Sequence, residues 1–437
     1  MNRKIKQALA VAGLLTIICV IGLYYRREHA IKVIHLGMFA ESNWGVENAE
    51  AYTVIDGAIA RFEEENPGVK VEYESGVCRA DYTEWLSRKA LIGETPDVFM
   101  VISEDFYKLA SLEILENLDN RIVNDKSFRP DYFYPSTLNM GKRQGEQYAL
   151  PYETVPKMMF VNKTLLKNEG VEVPENTWTW EELKRITEQV TKDSDGNGSL
   201  DQYGICNYTW KDGVYANGGT LFDEGGNNAY FSDNQVIDAV RFVNTLDEIQ
   251  GNNEVSYLDF DAGKVAFMPL MFANYRTYKT YPYRIKQFTG FQWDCITMPA
   301  GPRGGNYSEL DTLLMGMAST SAHKDEAWKF LKFLTSDSDT QRKLFKYSQG
   351  ASVLKYVSGS RYIESIIRAD VDANEKVIDA DLLDEAIKKG VYQHQFSKYS
   401  QAMELADGRI DDMLSNEKNI ESSMKVLQQD ITKFIRN

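Results

Sequence analysis

The sequence predicts an α/β fold built on parallel sheet. Two observations carry that expectation. Short apolar, β-prone runs alternate with amphipathic helical stretches. The chain of 437 residues, 43% hydrophobic and 26% charged, has globular composition and length for two or three domains.

The elements follow in order. Residues 31–39 (IKVIHLGMF) read as a buried strand. A helix comes next, because Val54, Ile55, Ala58, Ile59 and Phe62 share one face. Asn66-Pro67-Gly68 stops it, and VKVEY (69–73) is the second strand. A helix around 81–92 leads into DVFMVI (97–102), a third strand. Thr179 and Glu182 form a capping box before a helix carrying Leu183, Ile186 and Val190. Residues 323–335 are amphipathic, with Ala327, Leu331 and Leu334 on one face. The final helix spaces Ile420, Met424, Leu427, Ile431 and Phe434 by four and three, which suits one face laid against a domain.

The N-terminus reads as a secretory signal or an uncleaved anchor. Arg3, Lys4 and Lys6 precede an apolar run from Ala8 to Tyr25, which Arg26 and Arg27 end. No A-x-A site follows, so retention as an anchor is expected. Lipidation through Cys19 is the alternative, although Ile17-Ile18 before it make a poor lipobox. Either way the body is expected outside the cytoplasm, tethered to the membrane.

Formal net charge is -15, and the N-terminal segment is basic, so the body is more acidic still. Phosphate backbones would repel it, which excludes nucleic acid as a partner. The cysteines Cys19, Cys78, Cys206 and Cys295 form no CxxC, and with four His and no HExxH there is no zinc spacing. Buried free thiols are the simplest expectation for the three in the body.

Residues 193–201 (DSDGNGSLD) follow the pattern of a calcium loop. Asp193, Asp195, Asn197, the Ser199 carbonyl and Asp201 occupy alternating positions, with Gly198 at the turn. Oxygen ligands in that alternation suit a hard divalent cation. Gly204 stands where a bidentate Glu would complete the shell, so structural calcium there is expected to bind weakly.

Several segments together resemble the extracellular solute-binding proteins of bacterial ABC importers, in the sugar-binding family of the maltose-binding type. They are FEEENPGVKVEY (62–73), ALIGETPDVFMV (90–101) with LASLEILENLD (109–119), and YALPYETVPKMMFVNKTLL (148–166). TWTWEELKRIT (177–187), FDAGKVAFM (260–268), ITMPAGPRGG (296–305) and DEAWKFLKFLTS (325–336) continue the series. The resemblance implies a two-lobe fold of the periplasmic-binding-protein type, closing over a cleft by a hinge. It places residues 31–150 with about 316–360 in lobe 1, and residues 151–315 with about 361–437 in lobe 2. Crossings are expected near Leu150-Pro151 and Asp311–Met315, with a third near 355–365. Val161 stands where relatives often carry Tyr before Asn-Lys, so a glucan site would be altered.

A sugar cleft needs flat aromatic faces beside paired donors and acceptors. Twelve per cent of the chain is aromatic. Loops at strand ends and crossings supply the candidates. They are Glu41, Asn43 and Trp44 after the first strand, and Ser103 to Asp105 after the third. Tyr152 and Glu153 lie at the first crossing, and Tyr208, Trp210 and Tyr215 in the loop 207–217. Phe272, Asn274, Tyr275 and Arg276 follow FDAGKVAFM. Asp311 sits at the second crossing, and Phe396 and Tyr399 could form a far wall.

Three functions compete. The first is a monomeric binding module that delivers carbohydrate to a membrane permease, whose ATPase is a separate subunit, since this chain has no GxxxxGK[ST] loop. The second is a ligand sensor for a membrane kinase, or a binder of a non-sugar solute. The third is a glycosidase, for which no motif is present. No catalytic residue and no catalytic cofactor is expected.

Overall fold

The computed structural model describes residues 31–46, 50–280, 290–369, 378–416 and 419–437. The N-terminal apolar run and Cys19 lie outside the described residues. Among the described residues no helix is long and apolar enough to cross a membrane.

The strands are β1 (Lys32–Gly37), β2 (Val69–Tyr73), β3 (Val98–Val101), β4 (Lys142–Arg143), β5 (Glu146–Gln147), β6 (Ala149–Asn162), β7 (Tyr203–Ile205), β8 (Val265–Met271), β9 (Trp293–Ile296), β10 (Ser308–Met317), β11 (Ala351–Ser352) and β12 (Gly390–Val391). One continuous sheet runs β2-β1-β3-β10-β6-β8-β7, and β4 and β5 form a separate hairpin. The first three strands are parallel, with Ile34 opposite Val71 and Leu36 opposite Val98. The intervening helix Ala51–Glu65 buries Val54, Ile55, Ala58 and Phe62, the face its periodicity predicts. At Gly68 φ is +95°, a value that favours glycine and turns the chain into β2.

The two lobes share β6 and β10. From Ala149 to Pro156, β6 pairs antiparallel with β10; from Lys157 onward it pairs with β8. It therefore leaves one lobe's sheet and enters the other's without a break. The register slips between Leu313 and Leu314, which face Glu153 and Pro151, so Tyr152 is the extra residue of a bulge. Proline has no N–H to give a ladder, so Pro151 suits that irregular position.

Three apolar clusters fill the lobes. The first joins β1, β3, the ends of β6 and β10 and the helix Lys324–Ser336. The second gathers Trp178, Trp180, Ile186, Phe231, Val240 and the last two helices. The third lies around Phe160, Met268, Tyr275, Phe345 and Leu383. The capping box of Thr179 and Glu182 is present on the helix Trp180–Val190. The last helix, Ile420–Arg436, buries Met424, Leu427 and Ile431 in the second cluster. Cys206 and Cys295 are buried, but Cys78 is exposed, because it sits on the loop after β2. No disulfide joins the three.

The bulge has a dedicated partner. Gln341, fully buried, donates Nε2 to the Tyr152 carbonyl at 3.0 Å and to the Leu334 carbonyl at 3.2 Å. Its Oε1 accepts from Ser352 Oγ at 2.8 Å and from the Val353 N–H at 3.3 Å. One amide thus serves β6, β11 and a helix end. Gln341→Leu keeps the volume and strands these groups, so it should cost about 3 kcal/mol. Urea unfolding of the variant checks this, and an unchanged midpoint would refute the role.

Candidate ligand-binding site

A cavity of about 220 Å³ opens between the lobes. The first lobe lines it with Ser103, Phe106 and Tyr107 of the helix Ser103–Ser111 and with the β4–β5 hairpin. The second lobe faces it with residues 224–227 and 392–395. At the rim the Gln144 N–H donates to Glu224 Oε1 at 2.7 Å, so the lobes touch there. The hairpin turns tightly, with positive φ at both Gln144 (+53°) and Gly145 (+82°). It presents Arg143 over the Tyr107 ring, 5.4 Å from the centroid. Across the cavity Tyr392 and His394 meet edge to face at 5.0 Å, and burial lowers the His394 pKa, favouring its neutral form.

Asp311 adjoins this cavity through Ser103, whose hydroxyl donates to the Asp311 carboxylate and to the Thr312 carbonyl. Burial pushes the Asp311 carboxyl up to about 6; the Ser103 hydrogen bond opposes the shift, and the charges of Glu104 and Glu309 add to it. Nearby on β6, Lys157 bridges Asp212 at 2.8 Å and Glu309 at 2.7 Å. Burial works against the ammonium charge, but the two carboxylates outweigh it and raise the Lys157 pKa.

A second polar group sits at the hinge. Glu153 is buried and accepts from the Ser348 hydroxyl and from the Gly350 N–H at 2.7 Å. A Cβ on Gly350 would stand 2.3 Å from Glu153 Oε1, so only glycine allows this approach. Burial raises the Glu153 pKa against these hydrogen bonds and the nearby Trp44 indole and Arg276 charge. Trp44 is half-buried and packs against both the first and third clusters. Arg276 lies 4.4 Å from the Phe345 centroid and donates to the Phe345 carbonyl at 2.8 Å.

The remaining sequence candidates are distributed as follows. Tyr152, Tyr208, Trp210, Tyr215, Phe272 and Tyr275 are all buried in packed surroundings. Trp210 donates Nε1 to Asp407 at 3.0 Å, and the Tyr275 hydroxyl accepts the Ile378 N–H at 2.8 Å. Glu41 accepts the Arg79 N–H at 2.9 Å, and Asn43 accepts from Arg79 Nε at 2.7 Å. Asp105 accepts from Thr83, and Asn274 is half-buried on the helix Phe272–Thr280. Phe396 packs edge to face on Phe222, beside a half-buried Tyr399. The structure therefore lines the cavity with Tyr107, Arg143, Glu224, Tyr392 and His394, none of which the sequence singled out. The polar hairpin has no hydrophobic alternation to mark it; Gln144-Gly145 was its one turn signal.

The loop at 193–201 is a compact polar turn. Asp193 accepts the N–H groups of Gly196 at 2.7 Å, Asn197 at 3.1 Å and Gly198 at 2.6 Å. Asp201 accepts from the Ser194 N–H and hydroxyl, and Asn197 donates to Asp195 at 3.0 Å. Those hydrogen bonds lower the pKa of Asp193 and Asp201. The donor set is all oxygen, as calcium requires, and Ser199 adds its carbonyl. Among the described residues, no three His, Cys, Asp or Glu side chains are gathered closely enough to hold a metal ion.

The family described as bacterial extracellular solute-binding protein matches residues 46–341. A Brucella abortus binding protein is 24% identical over 294 residues; the match covers 62% of this chain and 66% of that protein. Among solved structures, the cyclic alpha-maltosyl-1,6-maltose binding protein of Arthrobacter globiformis superposes with a TM-score of 0.76 at 16% identity, covering 93% of this chain and 99% of that one. The sugar-binding protein MalE of Xanthomonas citri gives 0.75 at 16% identity, with 93% and 98% covered. An ABC substrate-binding protein of Listeria monocytogenes, in complex with cycloalternan, gives 0.68 at 17% identity, with 93% and 99% covered. At these identities the likeness shows the fold, which is the two-lobe architecture expected from the sequence. The matched family and these structures are binding proteins.

The Asp311 shift predicts a pH effect. A carboxyl whose folded pKa lies above its unfolded value binds its proton more tightly when folded. Its contribution is favourable at low pH and is lost as pH rises from about 4 to about 6. Asp311→Asn removes that loss. The variant should be about 1 to 2 kcal/mol more stable than the native chain at pH 7, with the difference vanishing near pH 4. Denaturant unfolding at the two pH values checks this; equal stability at pH 7 would show that Asp311 titrates normally.

Proposed function

The chain belongs to the bacterial extracellular solute-binding proteins, and from that premise we propose that it captures a carbohydrate, an oligosaccharide, between its lobes and delivers it to an ABC permease. The observation that carries this reading is the composition of the inter-lobe cavity. Tyr107 and Tyr392 offer aromatic rings, and Gln144, Asn227, Gln393 and Gln395 offer amides on the same walls. Pyranose rings present C–H faces to the first and hydroxyls to the second. The continuous strands β6 and β10 supply a shared hinge, so a ligand touching both lobes would favour closure. The similar structures solved with cycloalternan or named for cyclic alpha-maltosyl-1,6-maltose make carbohydrate the first class to test.

Two further parts of the proposal concern location and metal. The segment before residue 31 would tether the protein on the outer side of the bacterial cytoplasmic membrane, as an anchor or through Cys19. The loop at 193–201 would take a structural calcium through Asp193, Asp195, Asn197, the Ser199 carbonyl and Asp201 once the carboxylates gather from the hydrogen bonds they make within the loop. Its role there would be to brace the connection from the helix Trp180–Val190 to β7, away from the cavity.

Thermal melting of residues 31–437 with a glycan panel tests the cargo. A ligand at a hundred times its Kd stabilises the folded state by about 2.7 kcal/mol, which raises Tm by a few degrees. A selective shift with one glycan class, lost in Tyr107→Ala, is expected. A flat panel on folded protein would overturn the carbohydrate reading.

The same instrument tests the ion. Calcium should raise Tm over a chelator-treated sample, and Asp193→Asn with Asp195→Asn should abolish the difference. Identical melts with and without calcium would overturn the metal assignment.

A further inference from the structure

The cavity carries charge that a neutral sugar would not use. Formal net charge is -15, yet the first lobe places Lys142 and Arg143 side by side on the cavity wall. Among the described residues neither cation forms an ion pair. Arg143 Nε is buried without a hydrogen-bond partner. The carboxylates around this wall have other partners: Glu224 accepts the Gln144 N–H at 2.7 Å, Glu146, opposite Arg143 in the hairpin, accepts the Tyr148 hydroxyl, and Asp311 accepts the Ser103 hydroxyl. On the far wall His394 is held toward its neutral form by burial.

From this geometry, and resting on the carbohydrate reading above, we propose that the cavity selects an acidic oligosaccharide whose uronate carboxylate is received by Arg143, with Lys142 adding positive potential. A partly desolvated guanidinium without a counter-charge is costly, and a ligand carboxylate would offset that cost on binding. The guanidinium is planar and fixes two parallel N–H donors against one carboxylate. Its cation–π contact with Tyr107, 5.4 Å from the ring centroid, favours keeping the guanidinium at this wall before the ligand arrives. Tyr392 and the glutamines at 393 and 395 remain for the sugar rings and their hydroxyls. The acid group is therefore read by one lobe, and part of the glycan by the other.

Isothermal titration tests this with matched glycans: oligogalacturonides and glucuronoxylo-oligosaccharides against galacto- and xylo-oligosaccharides of the same length. The body, residues 31–437, is used. An acidic member should bind at least about tenfold more tightly than its neutral counterpart, as a charge-assisted bidentate contact allows. Its affinity should fall as salt rises from about 0.05 to about 0.5 M, while neutral binding holds steady. Arg143→Gln should lower the acidic-to-neutral affinity ratio by about ten- to a hundredfold. The salt series needs no variant, so a misfolded Arg143→Gln protein leaves the test standing. Neutral glycans binding as tightly as acidic ones, with no salt dependence, would overturn the acidic selection and leave the carbohydrate reading in place. No binding by either series to folded protein would overturn both.

Discussion

The antiparallel pair of β6 and β10 is the constraint on which the rest of the structure depends. Each strand begins in one lobe and ends in the other, so any relative movement of the lobes must pass through the same backbone ladder. A regular ladder would resist that movement. Here the regularity is broken where the strands cross, by the slip at Leu313/Leu314 and the bulged Tyr152. A bulge buried between two lobes would normally leave polar backbone groups unsatisfied. Gln341 removes that cost at the Tyr152 carbonyl and ties the same point to β11. The crossing is thereby irregular in geometry and still satisfied in hydrogen bonding.

Charge at the crossing follows the same logic. Glu153 and Lys157 stand four residues apart on β6 and are handled differently. Glu153 is accommodated by neutral donors, a hydroxyl and a glycine N–H, in a space that no side chain at 350 would share. Lys157 is accommodated by two carboxylates, one buried and one from β10. Removing either partner from such an arrangement leaves a buried charge uncompensated. Arg143, on the other wall of the cleft, has neither kind of accommodation within the chain. The contrast between these groups separates charges that serve the fold from one that is left for a ligand.

Much of the scaffold was legible in the sequence because its signals are local. The apolar face of Val54, Ile55, Ala58 and Phe62 and the capping box of Thr179 and Glu182 depend only on residues within two turns. The crossing near Leu150-Pro151 was legible through resemblance, and Pro151 itself carries the physical reason. Of the cavity only Ser103 was legible, because five stretches of chain between Ser103 and Gln395 meet there, and the others are not marked by composition. The aromatic loop candidates illustrate the opposite error. Trp210, Tyr215, Phe272 and Tyr275 follow strand ends as a ligand site requires, but the same positions border the core. Burying a large ring is worth more to the fold than leaving it exposed. Sequence position alone does not separate the two uses.

The contact between Gln144 and Glu224 shows how cleft geometry and hinge geometry are joined. It is the backbone N–H of a tight turn in one lobe, just before β6, meeting a side chain of the other at the rim of the cavity. A single exposed hydrogen bond of this kind contributes about 0.5 to 1.5 kcal/mol, too little to hold two lobes shut against their own mobility. Ligand contacts inside the cavity act on the same opening coordinate and add to it. A rim contact that is weak alone and supported by a bound molecule makes closure conditional on occupancy. The hairpin is suited to that position because its positive-φ turn fixes the direction of the Gln144 N–H and the placement of Arg143 together. The rim contact and the cation are thus placed by the same turn.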